Sequence, residues 1–239
     1  MTDYLNPILF GIYPYIALSV FLIGSLIRFD REQYSWRSGS SQLLRARQLR
    51  WGSNLFHVGV LFILAGHVVG LLTPHQLYTL VITVEAKQML AIVSGGTAGV
   101  FCFIGLTMLI HRRLFDPRIR KTSSFMDIVI LLMIWVQLVL GLITLPFSLQ
   151  HAEGSVMLRL SEWAQRIVTF RGGAADQILG LAWPYQLHLV MGMTLFLLFP
   201  FSRLVHIWSA PVGYLFRNYQ VVRRRGAGRD LAVRRGRPV

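Results

Sequence analysis

Four histidines lie inside long apolar stretches of the chain. His57 and His67 fall in "NLFHVGVLFILAGHVVG" (54–70), and His188 and His206 fall in the last apolar stretch. Imidazole is the commonest metal ligand among side chains, and polar groups at membrane depth are costly and tend to be functional. A single such histidine is often only hydrogen-bonded to a neighbouring helix. Four of them, shared between two stretches, point to a common purpose. The other three, His75, His111 and His151, sit at the ends of apolar stretches or in connections, where a solvated ring needs no special partner.

The elements that carry these residues follow from composition. The chain has 239 residues, of which 54% are hydrophobic and 14% charged. An ordinary soluble domain is about 25% charged. The charges cluster, leaving five apolar segments at roughly 8–28, 53–72, 89–111, 123–146 and 183–208. Each reaches the ~20 residues needed to cross a bilayer. These segments predict an all-α integral membrane protein with five transmembrane helices and no soluble domain. The first segment has neither a basic n-region nor a small-residue cleavage site, so no cleaved signal peptide is expected. The one cysteine, Cys102, lies in the third segment and reads as packing; no C-x-x-C-H haem-attachment motif occurs.

Charge sets the expected orientation. Of 24 Lys and Arg, twenty flank one side of a five-span arrangement: six in 28–50, five in 112–121 and nine from Arg203 onward. The other side has only Lys87, Arg159, Arg166 and Arg171. The positive-inside rule places the N-terminus outside and the C-terminus in the cytoplasm. The arginine-rich end, 223–239, reads as a basic cytoplasmic tail that touches anionic lipid or a partner subunit, following a membrane domain of residues 1–222. No nucleic-acid partner is expected.

Local signals add detail. Pro7 and Pro14 interrupt the first segment. Gly95 and Gly99 form a small-x-x-x-small pair that suggests a close helix contact. Ser123 or Ser124 is a candidate N-cap for the fourth helix, with Asp127 in its first turn. The one long connection, 147–182, carries Met157, Leu160, Ala164, Ile167 and Val168 at helical spacing, as in a helix lying on the outer membrane surface.

Depth then sorts the four histidines. At 1.5 Å per residue, His57 and His67 should be about 15 Å apart, and His188 and His206 about 27 Å apart on one face. The second span runs outward and the fifth inward. His67 should therefore meet His188 near the outer surface, and His57 should meet His206 near the inner one. The stagger of about 12 Å is eased if Pro200 kinks the fifth helix and re-aims His206. Two facing imidazoles at one depth suit one bis-histidine haem b, and two such pairs suit two haems between spans 2 and 5. Zinc would draw its ligands to one point, and a proton relay would add buried carboxylates. Gly59, Gly66, Gly70 and Gly192 could give the thin helix faces that a porphyrin needs.

On this pattern, and on "RLFDPRIR" (113–120), "LPFSLQH" (145–151) and "MTLFLLFPFSRLVHIWS" (193–209), the chain from about residue 5 to 222 resembles the gamma subunit of respiratory membrane-bound nitrate reductase, a dihaem cytochrome b. The resemblance implies that His67 and His188 hold the outer haem b, and His57 and His206 the inner one. It implies that a quinol, menaquinol or ubiquinol, is oxidised near the outer haem. Electrons would then pass to an iron–sulfur beta subunit, and a molybdenum-containing alpha subunit would reduce nitrate in the cytoplasm. The setting would be the bacterial cytoplasmic (inner) membrane. The family's quinol-site lysine corresponds to Lys87 in "VEAKQML", which on composition alone reads as an interfacial lysine reaching the headgroups. Gly66, beside His67, would leave room for the quinol ring.

Two other readings compete. One is the cytochrome b subunit of another quinone-coupled oxidoreductase, such as a hydrogenase, a formate dehydrogenase or a sulfur-metabolism complex. The other is a transporter or structural anchor whose histidines serve helix contacts, and it predicts no haem. The chain has no ligand set for molybdenum cofactor or iron–sulfur clusters, so nitrate reduction itself would belong to partner subunits. Arg112, Arg113, Arg203 and Arg217 are candidates for docking those subunits or holding haem propionates.

Overall fold

The structure, a computed structural model, describes residues 2–36, 44, 46–209 and 216–217. The tail at 223–239, and the boundary expected at 222, lie outside the described residues. Residues Met1–His206 form one compact unit, and Ile207–Val239 are a second. Among the described residues every regular element is helical.

Five helices are long and apolar enough to cross a membrane: Tyr4–Arg31, Arg47–Leu72, Val84–Phe115, Phe125–Leu149 and Trp183–Phe201. We call them spans 1 to 5. Span 2 packs along span 3, span 3 against span 4, span 4 against span 5, and span 5 against span 1. Span 1 absorbs its prolines with a π-helical turn at Ile8–Ile12, between Pro7 and Pro14. A π turn accommodates the backbone groups that proline leaves out of the regular ladder.

Small residues set how closely these helices approach. A Cβ on Gly59 would lie 2.7 Å from Cys102 Cβ, and one on Gly105 would lie 2.5 Å from the Phe56 nitrogen. Spans 2 and 3 therefore touch backbone to backbone, and Cys102 is buried in that seam. Gly59 thus serves a helix contact and not a porphyrin face. Toward span 4, a Cβ on Gly99 would lie 2.7 Å from Leu142 and one on Gly96 3.2 Å from Leu145, whereas one on Gly95 would meet nothing within 4 Å. The expected Gly95/Gly99 contact is made by Gly96 and Gly99.

Span 4 begins with a full capping box. The Ser124 hydroxyl accepts the Asp127 N–H at 3.1 Å, and the Asp127 carboxylate accepts the Ser124 N–H at 3.1 Å. Such a cap contributes about 1 kcal/mol. Ser124→Ala should lower the thermal unfolding midpoint of the solubilised protein by that equivalent, and an unchanged midpoint would remove the cap from the account. Asp127 also lies 3.7 Å from Arg113 at the end of span 3 and 3.8 Å from Arg203 beyond span 5.

Span 5 departs from the single 183–208 helix expected of the sequence. The α-helix stops at Leu198, a 3-10 turn follows at Phe199–Phe201, and Ser202 is extended. A second 3-10 stretch, Arg203–Ser209, carries His206. His188 and His206 therefore do not share one face of one helix. Pro200 starts the change, since its ring cannot continue the α-helical ladder.

The connection between spans 4 and 5 contains the expected helix, at Ser155–Val168. It buries Val156, Trp163, Ala164 and Ile167 against Phe10, Ala175, Ile178 and Tyr185, whereas Val168 is exposed. This part of its apolar face packs on protein. The Trp163 indole donates to the Phe10 carbonyl at 2.9 Å and ties the helix to span 1.

Candidate functional site

Each of the four membrane-segment histidines has Nδ1 on a backbone carbonyl. His57 donates to Ser53 at 2.7 Å, His67 to Ile63 at 2.8 Å, and His206 to Arg203 at 2.6 Å. His188 reaches across to the Gln137 carbonyl of span 4 at 3.1 Å. A carbonyl only accepts, so Nδ1 is the donor, which leaves Nε2 as the nitrogen available to bind a metal. That is the tautomer of a histidine whose Nε2 binds a metal, with the second hydrogen bond fixing the ring's direction.

The structure brings His67 and His188 together. Their ring centroids are 6.1 Å apart and their planes are tilted by 34°. Two imidazoles sharing one metal through bonds of about 2 Å, with each ring centre about 1 Å behind its nitrogen, would have their centres roughly 6 Å apart. The observed centroid spacing matches that separation. Two residues of span 4 seat His188. A Cβ on Gly141 would lie 2.9 Å from the His188 Cε1, and the Gln137 amide nitrogen is 3.3 Å from its Nε2. Neither was singled out from sequence. A glutamine inside so apolar a helix was the available signal for Gln137; Gly141 gave none.

His57 and His206 make no ring contact with each other among the described residues. His57 and His67 are exposed, and His188 and His206 are half-buried. Among the described residues no three of His, Cys, Asp or Glu gather as a metal-ion cluster. The flanking glycines divide. A Cβ on Gly66 or Gly70 would meet nothing within 4 Å, while one on Gly192 would lie 3.2 Å from the Gln137 amide. Gly66 and Gly70 thus leave open helix face beside His67.

Lys87 is drawn to the same end of span 2. Its ammonium donates to the Gly70 carbonyl at 3.0 Å, three residues past His67, and lies 3.5 Å from the centroid of the Tyr78 ring. Ser161 also donates to Gly70, at 3.3 Å, and the Gln165 amide donates to Leu71 at 3.0 Å and Thr73 at 3.3 Å. Lys87 and the connecting helix together satisfy carbonyls that every helix C-terminus leaves without partners. Tyr78 is buried, and its hydroxyl pairs with His75 Nδ1 at 2.9 Å. Burial, with the Glu85 carboxylate adding to it, holds the Tyr78 phenol above its usual range, so it stays neutral and able to donate. A cleft of about 220 Å³ opens beside it, lined by Thr73, His75, Tyr78, Arg159, Glu162 and Gln165 among others. Tyr78 was also missed from sequence, because a tyrosine in a short connection carries no pattern of its own.

Known proteins match this chain along nearly its whole length. The family described as "Nitrate reductase gamma subunit" matches residues 6–225. The chain is 54% identical over 223 residues to the respiratory nitrate reductase 1 gamma chain of Escherichia coli (strain K12), covering 93% of this chain and 99% of that one. It is 52% identical over 225 residues to the respiratory nitrate reductase 2 gamma chain of the same organism, covering 94% and 100%. It is 39% identical over 221 residues to the nitrate reductase gamma chain of Bacillus subtilis (strain 168), covering 92% and 99%.

Proposed function

The chain belongs to the nitrate reductase gamma subunit family, and from that premise we propose that it is the complex's quinol-oxidising cytochrome b, anchored in the bacterial cytoplasmic membrane. As a membrane subunit it joins the other subunits of a nitrate reductase. In the proposed arrangement the N-terminus is outside, and the basic ends of the spans face an iron–sulfur beta subunit and a molybdenum-containing alpha subunit in the cytoplasm. Quinol, as menaquinol or ubiquinol, gives up its electrons near the outer surface.

The observation that carries this reading is the His67–His188 ring pair, 6.1 Å apart and with both Nδ1 atoms held by carbonyls. These two residues would hold one haem b, and His57 and His206 the other. Haem b bound at each pair would supply a one-electron carrier. The carbonyls of Ile63, Gln137, Ser53 and Arg203 accept from Nδ1 and so orient the imidazoles, leaving Nε2 as the nitrogen that would bind a metal. Lys87 would donate from its ammonium to a quinol oxygen, since it has donors only and already sits at the His67 end of span 2. Gly66 would let the quinol ring lie against the helix backbone.

The direct test is a reduced-minus-oxidised spectrum with a pyridine haemochrome count on the purified protein. Two b-type haems per chain are expected, and folded protein without haem would overturn the reading. A second prediction isolates Lys87. A hydrogen bond to a charged donor contributes about 1.5–3 kcal/mol, equivalent to a ten-fold or greater change in affinity. Lys87→Ala should therefore weaken binding of a quinol analogue by about ten-fold and leave both haem spectra in place. Unchanged binding would take Lys87 out of the quinol site.

A further inference from the structure

Span 5 ends in the middle of its apolar stretch, and a residue from span 1 holds the broken end. Arg28 lies in the last turn of span 1. Its guanidinium donates to the Pro200 carbonyl at 2.6 Å and to the Ser202 carbonyl at 2.8 Å. It also donates to the Ser35 carbonyl at 3.0 Å and the Ser35 hydroxyl at 3.2 Å. One turn earlier, Gly24 lets span 1 approach: a Cβ there would lie 2.8 Å from Pro200 Cγ and 3.0 Å from Pro200 Cβ. Gly24 and Arg28 are four residues apart and so share a helix face. Together they grip the two residues at which the chain turns, both of them buried.

That grip lies on the path to His206. Beyond Ser202 the chain enters the 3-10 stretch, with the Ser202 hydroxyl donating to the Phe199 carbonyl at 2.9 Å and accepting the Leu204 N–H at 3.1 Å. The next residue, Arg203, supplies the carbonyl that directs His206 Nδ1. From the other side, the Arg203 guanidinium lies 3.8 Å from the Asp127 carboxylate. The carbonyl aiming the His206 ring therefore sits between two anchors, Arg28 before it and Asp127 beside it. A helix end with carbonyls buried and unmet would relax toward other arrangements, and a planar fork with five donors can meet several at once.

We propose that Arg28 is the positioning residue for His206, fixing the ring plane of this haem ligand from a different helix. The proposal rests on the assignment of His57 and His206 to a second haem b. It requires that losing Arg28 disturb that haem and spare the one at His67 and His188, whose anchoring carbonyls, on Ile63 and Gln137, Arg28 does not touch.

The test uses the intact complex in detergent, with redox titration followed optically and by electron paramagnetic resonance, whose low-spin haem signal reports the angle between axial imidazole planes. Arg28→Ala should shift the signal and midpoint potential of the His57/His206 haem, with about ten-fold weaker haem retention, the lower end for residues that orient ligands. Arg28→Lys keeps the charge but cannot span several carbonyls, so it should give a smaller shift of the same sign. Gly24→Ala, which leaves the guanidinium in place and pushes Pro200 away, should also shift that haem alone. Unaltered signals from both haems in Arg28→Ala, or equal loss of both haems in all three variants, would overturn the positioning role. His206→Ala serves as the control. If it removes no haem from the complex, the underlying assignment fails, and that failure is distinct from an Arg28 that leaves the His206 haem unmoved.

Discussion

Alanine in place of His67 or of His188 is expected to lower the haem b content from two to one per chain and to cut quinol-dependent nitrate reduction by more than about 100-fold, beyond the range for residues that only orient a ligand. The two ring centroids lie 6.1 Å apart, so under the proposed assignment each ring would supply one side of a single iron site. Removing either would leave the proposed haem with one protein ligand in place of two. The second pair should survive, because its rings are held by the Ser53 and Arg203 carbonyls and not by any group of the first site. Both variants must remove the same haem, which the optical spectrum and midpoint potentials identify. Activity with a small artificial donor that reduces the soluble subunits directly should persist, which separates lost quinol oxidation from lost assembly. Retention of both haems, or loss of different haems from the two variants, would refute the pairing.

The proximity of the His67 and His188 rings was legible in the sequence because it needed only direction. Two helices running in opposite senses bring the last histidine of one level with the first of the other, whatever the loops do. The depth of His206 was not legible, because the 27 Å estimate assumed one continuous helix. Pro200 marked a disturbance, but its outcome depends on Arg28, which lies 172 residues away in sequence and closes on the Pro200 carbonyl. Local pattern carries no information about such a contact. The connecting helix shows a related limit. Apolar residues at 156, 157, 160, 163, 164, 167 and 168 fit two adjacent helix faces. Which face is buried is decided by the partner, here Phe10 and the 174–185 segment. Glycines were ambiguous in the same way. Composition marks Gly59 and Gly66 alike as thin positions, and only the packing assigns Gly59 to Cys102 and leaves Gly66 beside open space. Lys87 stood out as one of four cations on its side, but its partners, the Gly70 carbonyl and the Tyr78 ring, come from two other elements.

Gly105→Ala should have a large effect although it lies away from the histidines, and the reason is what the new methyl group would strike. It would lie 2.5 Å from the Phe56 nitrogen, 2.7 Å from the Gly52 oxygen and 2.8 Å from Leu55 Cβ. Carbon contacts are favourable only near 3.5–4.0 Å, and two of these three atoms are backbone, so no side chain can rotate away. Spans 2 and 3 would have to part by about 1 Å, at a cost of about 1–3 kcal/mol for overpacking. The damage falls on a particular ligand. Gly52 and Phe56 bracket Ser53, whose carbonyl directs His57, and Phe56 immediately precedes His57. The His57/His206 haem should therefore be lost or shifted before the His67/His188 haem, and the unfolding midpoint should fall. Gly95→Ala is the matched control: it gains the same helix propensity, about 1 kcal/mol, but its Cβ meets nothing within 4 Å. It should be neutral or stabilising, so the difference between the two variants measures the clash alone. Equal midpoints and equal haem content in the two would mean that spans 2 and 3 are not in backbone contact and that His57 is not anchored through that seam.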